Sequence, residues 1–383
     1  MYREEETAAD RLDISGERRE VRRSGLARFA RYFFFRLLAL FLAVVVAIYL
    51  LVLISNLGGY LDEIVEAQIW ESIGYHMLEH RDRMIDWTAE ERMEYQQHMA
   101  EAMMRGRGLH QPFLLRSFYY LRDAVTLDLG RARSMRTLRG DNHVRAIIRE
   151  RLPPTLQLML SYLVLSLLMT LVISLYLTRS HGSLFDRFVI LLAPSSAAPP
   201  WFYGMFFIII FAATLGWLPY GGIMDHPVPE NRFFYFISYL RHLLLPVLSL
   251  FVSSFFIRIY NLRTFFMIYA REEYVDFARA KGLPEKTIEV KHILRPTLPP
   301  VITNFALELI TLWMGSIILE QIFDWPGLGQ MLFHAAHRFD TALLIGSQVI
   351  YAYMLAVTVF LLDLSYAILD PRIKMNNNSK NNY

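Results

Sequence analysis

Long apolar runs alternate with polar stretches along this chain, at 37–54, 155–177, 188–215, 243–260, 301–323 and 343–369. At 1.5 Å per residue, even the shortest of them covers about 27 Å as a helix, close to the depth of bilayer hydrocarbon. A chain in that medium must pair its backbone groups within each segment, so every run is expected to be a membrane-crossing helix. Gly58 and Gly59 mark the end of the first. From 60 to about 151 the pattern turns polar, with helical patches at 99–104 and 113–121 and nothing able to span; a small helical domain is expected there.

Between the fourth and fifth runs lies a charged island, 270–300, that a simple crossing has no need of. From Ala270 to Lys281 the spacing predicts a helix, with Tyr274, Phe277 and Ala278 sharing one face at i, i+3 and i+4, while Asp276 takes another. Gly282 stops it, because glycine takes the left-handed backbone that closes a helix, and Leu283 is placed to fold back on the last turn. Pro284 at a first helical position, followed by Glu285, starts a second helix striped by Thr287, Val290, Ile293 and Leu294. The expected product is a rigid helix-turn-helix at a membrane face. Periodicity alone equally describes an amphipathic connector lying on lipid headgroups.

Composition agrees with spans joined by watery parts: 54% of residues are apolar, yet 20% are charged. The net charge of +3 is small, so its distribution matters more. Arginines crowd the segment before the first run, at 18, 19, 22, 23, 28 and 31, and basic residues fill 258–295, whereas 321–342 holds only Arg338. By the positive-inside rule both termini and the island are expected in the cytoplasm, with Trp217 and Trp325 in the outer interfacial belt. The segment 58–151 is long enough to be exported despite its arginines. No cysteine is present, which excludes disulfides, thiolate metal sites and cysteine nucleophiles. The asparagine-rich end, 375–383, reads as disordered.

Asp276-Phe277-Ala278, three further residues and then Gly282 resemble the loop of ABC-transporter permease subunits that docks on an ATPase, in the ARAKGL form of the peptide and nickel importers. Asp stands in place of the family's usual Glu and Phe in place of its first Ala, and Pro296 is one residue late. Other landmarks of peptide permeases follow in order: Gly108 to Pro112, Asp128 to Arg131, Glu150-Arg151-Leu152-Pro153 with Thr155-Leu156, Pro199, Gly216 to Pro219, Trp325 to Gly329, and Leu369 to Ile373. The resemblance covers roughly 108–374 and departs in the amino-terminal quarter.

What it implies is an all-α integral membrane protein with six transmembrane helices, a MetI-like type-1 core of five helices preceded by one extra helix and an extracytoplasmic helical domain. Its divisions are a cytoplasmic extension at 1–36, a first helix at 37–57, the outer domain at 58–151, the permease domain at 152–370 and a cytoplasmic tail at 371–383. The chain itself is expected to be a non-enzymatic subunit of a multi-pass bacterial inner-membrane importer that binds no cofactor, ATP and magnesium sitting on two partner ATPase subunits. Further implied partners are a second permease, in an expected heterodimer, a substrate-binding protein and membrane lipid, but no nucleic acid. Tyr274, Asp276, Phe277, Ala278, Gly282, Leu283, Pro284 and Glu285 are the implied ATPase-coupling residues.

Pro199 and Pro200 fall inside an apolar run, where a kink is expected, either static or a hinge. Gly315 and Ser316 are small enough to admit a neighbouring helix or a pathway. Glu308 and Asp363 are ionisable groups in apolar surroundings and must face protein or water. Pro199, Glu308, Gly315 and Ser316 are the candidates for lining a translocation path, Glu308 being equally readable as a buried hydrogen-bonded acid. Asp363 reads as structural, paired with an arginine or a helix end. His76, Glu79 and His80 match an inverted zinc-protease pattern without a third ligand, and His334 and His337 form another pair, readable as a contact for a metal substrate but more simply as a plain surface helix, so no metal site is assigned. No Gly-rich nucleotide loop ending in Gly-Lys-Ser/Thr occurs. The rival reading is a secondary transporter or channel without ATPases, which calls for a polar relay and paired broken helices.

Overall fold

The computed structural model describes residues 31–54, 60–106, 108–315 and 317–369. The extension before residue 31, Gly58, Gly59, Ser316 and the tail from 370 onward lie outside the described residues. The regular elements among the described residues are helices, apart from one isolated bridge between Arg131 and His143. The first helix, α1, runs Arg31–Ile54. It is followed by α2 Tyr60–Glu79, α3 Ala89–Gly106 and α4 Phe113–Val125. The patches expected at 99–104 and 113–121 lie inside α3 and α4. These three helices do not stand apart from the membrane helices. Val65, Ile69 and Ile73 of α2, Ala100 of α3 and Tyr120 and Ala124 of α4 share one core with Val44, Ile48 and Val52 of α1 and with Val349 further along the chain.

Helix α5, Val144–Arg179, starts well before the expected Thr155 and carries Pro153 and Pro154 in its interior. Its early start follows from burial. Val144, Ile147 and Ile148 pack against Leu328, Met331, Ala335 and Leu343, which outweighs the local cost of the prolines. The run expected at 188–215 is broken rather than kinked. Helix α6, Leu184–Leu192, continues through a 3-10 turn to Ala197, and α7, Pro200–Phe207, continues as a π-helix to Thr214. The two halves meet at 100°. Pro200 removes a donor and forces the residue before it to be extended, and Pro199 sits at φ −69°, ψ 158°.

Helix α8, Arg232–Ala270, overruns the expected span at both ends, so Arg258 and Arg263 are helical and not part of the following loop. Its 39 residues measure about 58 Å, more than a bilayer core. Two short elements follow, α9 Glu273–Ala280 and α10 Glu285–Ile288, the latter passing through a π-helical stretch, Glu289–Leu294, into α11 Arg295–Gly315. The run expected at 301–323 is divided between α11 and α12, Ile317–Ile322. Helix α13 is Leu328–His337 and α14 is Thr341–Leu369. Among the described residues, α1, α5, α8 and α14 are long and apolar enough to cross a membrane, and the bent pair α6 and α7 makes a fifth crossing if taken as one span. Asp363 pairs with Arg36 of α1 (Nη2 to Oδ1 3.2 Å), tying the first helix to the last.

Candidate functional site

The island forms a folded unit at one end of the bundle. Helix α9 ends in a Schellman turn: the Gly282 amide donates to the Arg279 carbonyl at 2.9 Å and the Leu283 amide to the Ala278 carbonyl at 3.3 Å. Gly282 sits at φ +73°, the left-handed region that penalises any side chain, although a Cβ added there meets nothing within 4 Å. Pro284, at φ −58° and ψ 139°, precedes the second helix, and Glu285 is its first residue, one place later than the sequence suggests.

The fully buried positions share only Ala278 and Ile293 with the stripes that periodicity selects. Val275 and Ala278 are buried at 0% and 3% exposure, whereas Tyr274 and Phe277 remain 41% and 61% exposed. On the second helix the buried positions are Ile288, Glu289 and Ile293, and Val290 faces out. The reason is the π-helical stretch, whose wider turn moves the inward face from the expected Val290 to its neighbours. Val275, Ala278, Ile288 and Ile293 join Leu262 and Phe266 of α8 and Val301 and Phe305 of α11 in one cluster. Arg179 at the end of α5 forms an ion pair with Glu289.

Arg279 spans the turn. It reaches Asp276 at 3.0 Å and Glu285 at 3.6 Å, and Lys281 lies 4.4 Å from the Phe277 ring centroid. These exposed pairs add little stability, but they orient the outward face. Burial, assisted by Glu272 and Tyr269, pushes the Tyr274 phenol above its ordinary pKa. The unit therefore presents Tyr274, Phe277 and Leu283 outward while its other side is locked into α5, α8 and α11.

Directly beyond this unit, between α8 and α11, lies a cleft of about 690 Å³ lined by Ser254, Arg258, Asn261, Asn304, Phe305 and Glu308 among others. Glu308 lines this cleft and is held in a hydrogen-bonded network, the second of the two readings the sequence left open. Arg258 pairs with it, Tyr162 of α5 donates to it, and the Tyr162 hydroxyl lies 2.9 Å from both Ser254 Oγ and Arg258 Nη2. The Arg258 guanidinium also rests 4.8 Å from the Phe305 ring centroid. Pro199, at the α6–α7 break, is not among the residues lining the cleft. Gly315 closes α11 about 10 Å along the axis from Glu308.

Glu308→Ala is expected to destabilise the bundle by about 2 kcal/mol, because it leaves Arg258 half-buried without its carboxylate, and adding Arg258→Met is expected to restore part of that loss. Thermal unfolding of the single and double variants in detergent checks this, and additive losses would sink it. Arg258 is the member that sequence reasoning missed. An arginine four residues after Ser254 in an apolar helix is itself a signal, concealed when it is counted as the first charge of a loop.

His76 and His80 stack at 4.2 Å between ring centroids, and no group of three His, Cys, Asp or Glu able to hold a metal occurs among the described residues.

At the other end of α5 a second constellation surrounds Glu320, buried at 0% exposure. Thr155 Oγ1 donates to its carboxylate at 2.9 Å and the Gln330 amide at 3.1 Å. The Leu328 amide donates to Thr155 Oγ1 at 2.7 Å, and Trp325 Nε1 to the Pro154 carbonyl at 2.9 Å. The glycines of the Trp325 to Gly329 stretch are required by this approach: a Cβ on Gly327 would fall 2.3 Å from Glu320 Oε2 and 2.4 Å from Thr155 Oγ1.

The pattern of the binding-protein-dependent transport system inner membrane component family matches residues 170–375. The oligopeptide transport system permease protein AppB of Bacillus subtilis (strain 168) is 31% identical over 280 residues, covering 72% of this chain and 84% of the relative. The di/tripeptide transport system permease protein DppB of Pseudomonas aeruginosa (strain UCBPP-PA14) is 30% identical over 300 residues, covering 74% and 87%. The glutathione transport system permease protein GsiC of Shigella flexneri serotype 5b (strain 8401) is 28% identical over 275 residues, covering 72% and 84%. Among solved structures, a chain of the MetNI methionine ABC transporter in inward-facing conformations aligns with 59% of this chain and 97% of its own at TM-score 0.47 and 14% identity.

Proposed function

The chain belongs to the family of binding-protein-dependent transport system inner membrane components, and from that premise we propose that it is the permease subunit through which an ATP-driven importer moves short peptides across the bacterial inner membrane. It is a multi-pass membrane protein and a transport component, not an enzyme. The peptide cargo is argued from the relatives, named for oligopeptides, di/tripeptides and glutathione. Nickel is the less supported cargo, since none of these three relatives is named for it.

One observation carries the mechanism: the turn at Gly282 is rigidly closed and anchored on one side while Tyr274, Phe277 and Leu283 stand exposed on the other. An ATPase subunit seated on that face moves α9 and α10, and the shared cluster passes the displacement to α8 and α11, which wall the cleft. ATP and magnesium then belong to the ATPase pair, and each ligand shifts the inward-open and outward-open populations by its difference in affinity for them. In this reading the chain crosses six times with both termini inside, α11 and α12 supplying the fifth crossing, and α2 to α4 lie outside. Glu308 and Gly315 border the path, Pro199 sits at the break that redirects α7, and a second permease supplies the opposite wall.

Isolation of the tagged chain from native membranes in mild detergent tests the assembly. Two ATPase subunits, a second permease and a substrate-binding protein are expected among the co-purifying proteins. A chain that comes down alone and transports in liposomes without ATP overturns the proposal in favour of a secondary transporter.

A further inference from the structure

At the end of α5 opposite the Gly282 turn there is a pocket of about 440 Å³ that the transport mechanism does not use. The separation follows from helix geometry. Arg151 lines the pocket and Arg179 pairs with Glu289 beside the turn, and 28 residues of continuous helix between them make about 42 Å. The pocket is therefore on the other side of a bilayer from the turn.

Its polar lining is Arg151, Arg338, His334, His226, Asp324 and Gln330. Arg151 Nη1 donates to Gln330 Oε1 at 3.2 Å, Gln330 Nε2 donates to Asp324 Oδ1 at 2.6 Å, and Arg338 Nη1 donates to the Ser134 carbonyl at 2.8 Å. Each guanidinium has five N–H donors, so both keep several for a ligand. Neither has a carboxylate within ion-pair distance among the described residues; the one acid in the pocket, Asp324, is engaged by Gln330. Burial, followed by the fields of Arg338 and Arg151 and opposed by Asp324, holds His334 below its ordinary pKa. The pocket thus carries two guanidinium charges against one carboxylate, with neutral His334 on its wall as a hydrogen-bonding group.

We propose that this pocket receives the free carboxylate of a short peptide on the face of entry, with Arg151 and Arg338 as its two cationic contacts. The inference rests on the peptide-importer reading and adds to it a site where the cargo's terminus is held before it reaches the cleft at Glu308. Guanidinium groups fit the role because they donate in a planar fork that matches a carboxylate. The volume lies within the range of small-molecule pockets.

The test is equilibrium binding of tri-alanine and of tri-alanine amide to the full chain in nanodiscs, without ATP. The acid is expected to bind roughly tenfold tighter than the amide, and Arg151→Gln and Arg338→Gln are each expected to remove most of that preference with the amide's affinity unchanged. Equal affinities in the unaltered chain, or a preference that survives in both variants, overturn the proposal. If the variants weaken only the docking of a substrate-binding protein, and the unaltered chain shows no preference, the carboxylate belongs to that partner and the proposal also fails. Failure of the transport reading shows itself separately, as absence of ATP-driven uptake in the assembled complex with the acid preference intact.

Discussion

Gly282→Val is expected to lower ATP-driven peptide uptake by about tenfold or more while the chain still inserts in the membrane. The glycine holds φ +73°, and a β-branched residue in that region costs about 1–3 kcal/mol. Space is not the constraint, because a Cβ there meets nothing within 4 Å, so the effect isolates backbone conformation from packing. The two amide-to-carbonyl hydrogen bonds that close the turn depend on that conformation, and without them α9 and α10 lose their fixed angle. Val275, Ala278, Ile288 and Ile293 still anchor each helix separately, which preserves the bundle. Displacement by an ATPase is then absorbed in the loosened turn before it reaches α8 and α11. A graded series sharpens the test. Asn, which tolerates the left-handed region, is expected to retain the most uptake, Ala less and Val least. Normal uptake in the Val variant, measured in inverted or reconstituted vesicles with insertion verified by membrane fractionation, would sink the coupling role of this turn.

How much of this was legible from residues alone varies with the range of the interaction involved. The stop at Gly282 is a local matter of one backbone angle and two nearby carbonyls, and the sequence announces it. Which face of α9 turns inward is not local. Tyr274 and Phe277 satisfy helical periodicity as well as Val275 does, and only the position of α8 and α11 selects Val275. The π-helical stretch at Glu289–Leu294 has no signature in residue type, so the stripe read at a spacing of 3.6 residues passed from the correct face to Val290.

The candidate site followed the same division. Glu308 stands out as an acid in an apolar run, but its partners Arg258 and Tyr162 lie 50 and 146 positions away in the chain. Charges at the ends of apolar runs were the hardest to interpret. Arg258 marks a span end by hydropathy, yet α8 continues to Ala270 because Leu262 and Phe266 are buried beneath the turn. Glu320 was hidden for the same reason: it sits at the edge of an apolar run, and its role depends on Thr155, a contact across 165 positions.

That contact bears the largest expected effect on stability. Gly327→Ala places a methyl group within 2.4 Å of two buried oxygens, Glu320 Oε2 and Thr155 Oγ1, that cannot both retreat. Moving either breaks a hydrogen bond in a sequence of them, from the Leu328 amide through Thr155 to Glu320, and strands a buried donor or acceptor. Overpacking and an unsatisfied buried group each cost about 1–3 kcal/mol, so a loss of about 3–5 kcal/mol is expected. Glu320→Ala is expected to lose about as much, since the Thr155 hydroxyl and the Gln330 amide lose their acceptor in a site closed to water. The informative variant is the double one. With the carboxylate gone, half of the obstruction to a Cβ at 327 is gone too, so the double variant should lose clearly less than the sum of the two single losses. Thermal unfolding of the four chains in the same detergent decides it. Strict additivity would mean that Gly327 is needed for its backbone alone and that the carboxylate does not set how closely the loop after α12 approaches α5.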